Sequence, residues 1–147
     1  MKQSQVRRMV LTDIDQVYEI EQSLFSMPWS KQDFESSYNH PQNLYLVVEK
    51  EGEILGYCGL WAVLEEGQIT NVAVKKNYQG QGIGKQLMKA LIHEGKERGL
   101  TQFTLEVRES NESAKNLYLG MGFQVAGIRP NFYEKPTENA IIMWLYF

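Results

Sequence analysis

Hydrophobic positions along the chain switch between a period of two and a period near 3.6, and the switches mark out the elements. Val6, Arg8 and Val10 alternate with their neighbours and predict a short first strand. Thr12 then stands where a helix N-cap belongs, with Ile14, Val17, Ile20 and Leu24 at helical spacing through about Phe25. Pro28 breaks that run, and Ser30 caps a second, short helix with Phe34 and Tyr38 on one face. A meander of three antiparallel strands follows: Leu44 to Val48, Ile54 to about Val63, and Ile69 to Val74. The turns Glu51-Gly52-Glu53 and Glu65-Glu66-Gly67 separate them.

The second half changes character. Ile83 to Arg98 is the strongest helix, with Leu87, Met88, Leu91, Ile92 and Gly95 on one face and Lys85, Lys89 and Lys96 outside it. Gly99-Leu100 is a helix-terminating pair. Phe103, Leu105 and Val107 then alternate with Thr104, Glu106 and Arg108 as a strand. Asn111 caps another helix, with Ala114, Leu117, Tyr118 and Met121 turned inward and Gly122-Phe123 ending it. Val125 to Ile128 and Ala140 to Phe147 close the chain as strands. The order β-α-α-β-β-β-α-β-α-β-β implies an α/β fold, a central mixed sheet with helices on both faces. The 147 residues are read as one domain, 1–147.

Composition narrows the chemistry. Hydrophobic residues make up 43% and charged residues 22%, which argues against disorder. Cys58 is the single cysteine, so no internal disulfide forms. With only His40 and His93 beside it, a Cys/His zinc site is not expected, and no metal is. The stretch MKQSQVRRMV has no apolar leader core, and the longest apolar run, Ala140–Phe147, is far short of the roughly 20 residues of a membrane helix. A cytoplasmic domain without membrane attachment is the expectation. The net charge of −3 has no basic block, so no nucleic-acid footprint is expected either.

The segment Asn77-Tyr78-Gln79-Gly80-Gln81-Gly82-Ile83-Gly84-Lys85 carries the first chemical signal. Glycines let a backbone approach a ligand closely, and the start of a helix offers unpaired N–H groups and a positive dipole end, a site for a diphosphate. A nucleotide P-loop does not fit, because Gln79 holds the first glycine's place and Gln86 that of the hydroxyl. A dinucleotide fingerprint does not fit, because Lys85 stands at its third glycine. The pattern Q-x-x-G-x-G after the strand Asn71-Val72-Ala73-Val74 closely resembles the coenzyme A loop of the GCN5-related N-acetyltransferases. The resemblance makes Val72, Ala73, Val74, Gln79, Gly80, Gln81, Gly82, Ile83, Gly84 and Lys85 candidate contacts to acetyl-CoA.

Downstream, Leu105-Glu106-Val107-Arg108-Glu109-Ser110-Asn111 through Ala114, Leu117-Tyr118 and Gly122-Phe123 resembles the ribosomal-protein-alanine group of that superfamily. Met27-Pro28-Trp29-Ser30 and Ala140-Ile141-Ile142-Met143 match the same group. The residues suit the chemistry. Acetyl transfer from a thioester needs an acceptor for the amine proton and a donor to the departing thiolate. Glu106 lies on the polar parity of its strand, and Tyr118 carries a phenol of reference pKa about 10. The resemblance gives the base role to Glu106 and the acid role to Tyr118. Asn111 is a candidate for hydrogen-bonding the cofactor's amides, and the Val74 N–H for polarising the thioester carbonyl. Each has a plainer reading: Glu106 as a solvated strand residue, Tyr118 as a core aromatic, Asn111 as an N-cap alone.

By the same resemblance the acceptor is the N-terminal alanine of a small-subunit ribosomal protein, whose basic tail suits a negative chain. Trp29, Phe132 and Tyr133 are the candidate acceptor contacts, with packing on the sheet edge as the plainer reading. Pro130 and Phe132 stand where the group's pattern has Arg and Tyr. A lysine or small-amine acceptor, or a non-catalytic acyl-CoA sensor, remains open at this stage. Cys58 lies mid-strand without a partner histidine and is set aside as a nucleophile.

Overall fold

A computed structural model describes residues 4–147; residues 1–3, the start of the stretch read as lacking a leader core, lie outside the described residues. One seven-stranded sheet runs through it, in the order β1-β2-β3-β4-β5-β7-β6. Strands β1 (Gln5–Arg8), β2 (Leu44–Lys50), β3 (Glu53–Val63) and β4 (Glu66–Val74) are antiparallel neighbours. Strand β5 (Gln102–Arg108) joins β4 in parallel, and β7 (Glu138–Tyr146) lies between β5 and β6 (Gln124–Tyr133), antiparallel to both.

Helices cover both faces, as the element order implied. α1 (Ile14–Leu24) and α2 (Lys31–Tyr38) pack Val17, Ile20 and Phe34 against Tyr45, Val47, Tyr57 and Ala73. α3 (Ile83–Glu97) and α4 (Glu112–Gly120) pack Leu87, Met88, Leu91 and Tyr118 with Leu46, Val48, Cys58, Phe103 and Leu105. Period-two alternation explains β2, whose Leu44, Leu46 and Val48 serve one core while Tyr45 and Val47 serve the other. The hydrophobic cluster under α1 and α2 draws on β2, β3 and β4 and, among the described residues, includes none from β5, β6 or β7. Thr104, Glu106 and Arg108 of β5 are therefore half-buried rather than covered, while Phe103, Leu105 and Val107 are buried on the α3 side.

The sequence expectations need four local corrections. Thr12 does not cap α1: it lies within a 3₁₀ turn, Leu11–Asp13, and the Asp13 carboxylate accepts the Val10 N–H at 2.8 Å instead. Asp13 is held there by a bidentate pair with Arg7, and together they fix the entry to the helix. The first strand stops at Arg8, short of Val10. The β3–β4 turn sits at Leu64 and Glu65, with Leu64 at φ +54, so β4 begins at Glu66. Strand β6 continues through Tyr133 rather than ending at Ile128, because its register with β7 resumes at Tyr133 and Glu138.

Candidate active site

The parallel seam between β4 and β5 is short. Pairing covers only Glu66–Gln68 against Gln102–Thr104. A register irregularity at Thr70 in the β3–β4 ladder coincides with the divergence, and beyond it the strands part. The parted strands open a cleft of about 1130 Å³, walled by Ile69–Val72 on one side and Thr104–Arg108 on the other. Because the sheet itself is split, the cleft reaches both faces. Glu106, from the uncovered face of β5, and Tyr118, from the α4 layer, line the same space.

Glu106 has a half-buried side chain whose Oε2 is fully buried and accepts no hydrogen bond. Arg129 Nε stands 3.3 Å from that oxygen, an ion pair by distance without an aligned N–H. A buried carboxylate oxygen without a donor is costly unless a partner arrives, and it is suited to receiving a proton. Tyr118 is buried against Phe123, and burial pushes its phenol up from the usual value. Tyr133, half-buried nearby, is pushed up to about 12, first by burial and then by the Glu106 charge. Both phenols thus keep their protons through neutral pH.

The glycine loop stands outside the cleft wall, at the start of α3. Gly80 and Gly82 adopt φ +80 and +83, a conformation L side chains rarely take, and a Cβ at either would meet open space. Glycine is present here for the backbone turn, not for room. Gly82 ends the turn with no capping side chain, and the first turn of α3 carries no acidic residue. Its first helical bond runs from Gln86 N–H to Gly82 C=O, so the N–H groups of Ile83, Gly84 and Lys85 have no intrahelical acceptor. Ile83 is buried, leaving its backbone to serve a ligand, while Gln81 and Lys85 are exposed. The Gln79 side chain donates to the Val74 C=O at 3.0 Å and ties the loop to β4. That uncapped end fits a diphosphate.

Strand β4 leads from the loop into the cleft. Lys75 N–H donates to Leu55 C=O on β3 at 2.8 Å. Alternation along the strand then turns the polar groups of Val74 and Val72 away from β3, toward the side where β5 has diverged. Ala73 has the opposite parity, and its side chain is buried with α1 and α2. Asn111 lines the cleft and also caps α4, its Oδ1 accepting the Ala114 N–H at 3.2 Å.

The candidate acceptor residues Trp29, Phe132 and Tyr133 all line the cleft. Trp29 lies against Phe34 at 5.2 Å and Trp61 at 6.1 Å between ring centroids, and Phe132 meets Tyr133 edge-on at 5.0 Å. Sequence reasoning missed Glu21, Trp61 and Glu138 and gave Arg108 no role. Glu21 is buried at the cleft, where its carboxylate accepts from the Tyr57 hydroxyl and, at 2.9 Å, from the Trp29 N–H. Its signal was present: Glu21 falls on the apolar stripe of α1, four residues after Val17, a position a solvated charge would avoid. Cys58 is fully buried in β3, and burial pushes its thiol up, away from nucleophilic character. Among the described residues no group of His, Cys, Asp and Glu could hold a metal ion, and no helix is long and apolar enough to cross a membrane.

A split mixed sheet, an uncapped helix start beyond a glycine turn, and a carboxylate and a phenol sharing the split describe an acyltransferase with a nucleotide-bearing donor. Residues 14–123 match the acetyltransferase (GNAT) family. The chain belongs to that family, whose enzymes transfer an acetyl group from acetyl-CoA. It is 40% identical over 139 residues, covering 91% of this chain and 92% of the relative, to the [ribosomal protein bS18]-alanine N-acetyltransferase of Haemophilus influenzae. A Bacillus subtilis protein that bears the same name provisionally is 46% identical over 145 residues, 95% of this chain and 93% of that one. The crystal structure of the ribosomal-protein-S18-alanine N-acetyltransferase of Escherichia coli superposes with a TM-score of 0.91 at 36% identity, covering 98% of this chain and 94% of that one.

Proposed function

We propose that the chain acetylates the N-terminal α-amine of an alanine on a small-subunit ribosomal protein, of the bS18 kind named for its relatives, with acetyl-CoA as donor. The observation that carries the reading is the unsatisfied, buried Glu106 oxygen in a cleft it shares with Tyr118. The amine nitrogen attacks the thioester carbonyl carbon, the C–S bond breaks, and an amide and a thiol result. Glu106 takes the amine proton, directly or through a water, and Tyr118 returns one to the departing sulfur. The Val74 N–H, turned toward the diverged side of β4, polarises the carbonyl. The amides at Gly82 to Lys85 hold the diphosphate, and Asn111 meets the cofactor's amides.

The choice of amine follows from magnitudes. An α-amino group titrates near 7.7–8.0, so roughly a tenth is neutral at pH 7; lysine, near 10.4, leaves a few parts in ten thousand. One carboxylate base suits the former. The cleft is lined by Glu21, Glu66, Glu106 and Glu138 against Arg108, Arg129 and Lys135, a slight acidic balance in keeping with a basic tail, and a ribosomal substrate is consistent with a cytoplasmic protein. Thiol release from acetyl-CoA tests this with three acceptors: an alanine-starting peptide from the ribosomal tail, a lysine peptide with a blocked α-amine, and a polyamine. The alanine peptide is expected to give kcat/KM about tenfold or more above the others. Preferred turnover of lysine or polyamine would overturn it.

A further inference from the structure

Arg108 lies two residues beyond Glu106 on β5, on the same face, and its guanidinium hydrogen-bonds to neither Glu106 nor Tyr118. Nη1 donates to the Pro136 carbonyl at 3.0 Å and to Glu138 Oε2 at 3.2 Å. Nη2 donates to the Glu134 carbonyl at 2.9 Å and the Ser26 hydroxyl at 3.3 Å. The Ser26 hydroxyl in turn donates to the Glu134 carbonyl at 3.3 Å. The guanidinium also sits 4.5 Å above the Tyr133 ring, and Glu138 accepts the Ser110 N–H through its other oxygen.

Two loops that are far apart in sequence meet at this side chain, which gives them three hydrogen bonds and Glu138 a fourth, beside the single direct one from Ser26 to Glu134. The α1–α2 loop carries Ser26, Met27 and Trp29; the β6–β7 turn carries Glu134 to Pro136. Both line the cleft. A planar guanidinium donates in several directions at once, which lysine cannot reproduce. The glycine loop and β4, on the donor side, make no contact with Arg108 among these bonds.

We propose that Arg108 is a positioning residue that ties the two loops together and so sets the affinity for the acceptor while leaving the donor site alone; this rests on the acceptor reading above. Arg108→Met and Arg108→Lys test it, with KM measured separately for the acceptor peptide and for acetyl-CoA. Amide hydrogen exchange on the same proteins provides a second readout. Arg108→Met is expected to raise the acceptor KM about tenfold or more and leave the acetyl-CoA KM within about twofold, with Arg108→Lys recovering part of the loss. Exchange is expected to quicken in residues 25–29 and 134–137 and not in 83–97. Unchanged acceptor KM, both KM values rising together, or unaltered exchange in the two loops overturns the assignment. A wild-type chain that turns over none of the amines, with the exchange pattern as expected, overturns the proposed function and leaves the tie standing.

Discussion

Arg129 Nε stands 3.3 Å from Glu106 Oε2, yet that oxygen accepts no hydrogen bond. The pair joins a mostly exposed cation to a half-buried carboxylate, and such pairs contribute about 0–1 kcal/mol. On the proposed reading, an arriving amine displaces Arg129 at little cost. Glu106→Gln keeps the shape and removes the proposed base, and kcat is expected to fall roughly 10²-fold or more while acetyl-CoA still binds. Arg129→Ala is expected to change kcat/KM by no more than about fivefold. Thiol-release kinetics compare the two, and equal losses would place Arg129 in the reacting machinery.

Tyr118→Phe removes only a hydroxyl and keeps the ring packed on Phe123, 5.9 Å away. A kcat loss of roughly 10²-fold with a near-unchanged melting temperature is expected, a combination that packing alone does not produce. Burial raises the phenol, and the proton-donating form is the one present below its pKa. Wild-type kcat is therefore expected to show no alkaline limb from this group below about pH 10. A limb below that value that vanishes in Tyr118→Phe would mean that burial does not raise this phenol, and a kcat unchanged in Tyr118→Phe would refute the acid role.

Much of this was legible in the chain. The elements, their order and the helix ends at Gly99 and Gly122 follow from periodicity and local termination chemistry, and both ends form the expected paired bonds, Leu100 N–H to Gly95 and Phe123 N–H to Tyr118. Glu106, Tyr118 and the glycine loop could be proposed from the chain because their chemistry sits in contiguous strings, and the fold brings the first two into one cleft. Glu21 and Arg108 were not given roles, because each gains meaning only from partners brought by the fold: Tyr57 lies 36 residues from Glu21, and Ser26 lies 82 from Arg108. The split between β4 and β5 is also tertiary. Nothing in the residues Gln68 to Val72 announces that their parallel partner will leave.

Glu21 holds Trp29, a residue of the proposed acceptor wall, through the Trp29 N–H. Glu21→Ala strands the Trp29 N–H and the Tyr57 hydroxyl, and leaving one buried polar group unpaired costs about 1–3 kcal/mol. Thermal melts are expected to show a drop of several degrees, at about 2–4 °C per kcal/mol for a chain of this size. Glu21→Gln, which keeps an acceptor, is expected to lose less. Equal melting of Glu21→Ala and wild type would mean the two donors find other partners.

Gly82→Ala separates backbone conformation from crowding. A Cβ there meets nothing within 4 Å, so the cost is the strain of φ +83, about 1–2 kcal/mol. Relief of that strain re-aims the amides of Ile83 to Lys85. The acetyl-CoA KM is expected to rise about tenfold, with the acceptor KM little changed, because a hydrogen bond to a charged group contributes about 1.5–3 kcal/mol. Steady-state kinetics with each substrate varied in turn decides it. A rise confined to the acceptor KM would move the loop to the wrong side of the reaction.

Four tyrosines link stability to alkaline pH. Burial raises Tyr45, Tyr57, Tyr118 and Tyr133, with the Glu21 charge adding to Tyr57 and the Glu106 charge to Tyr133. Unfolded, each phenol ionises near pH 10. Folded, each keeps its proton longer, Tyr133 to about 12. The unfolded state therefore binds fewer protons above pH 10, so their contribution is whole below that value and is lost as pH climbs from about 10 toward 12. Circular-dichroism melts are expected to be flat from these groups between pH 7 and 9 and to fall steadily above about 10. Tyr133→Phe removes one ionisation from the unfolded chain, so the drop in melting temperature between pH 8 and pH 11 is expected to shrink. An undiminished drop in that variant would mean that Tyr133 ionises alike in both states, and that the cleft does not shield it from water.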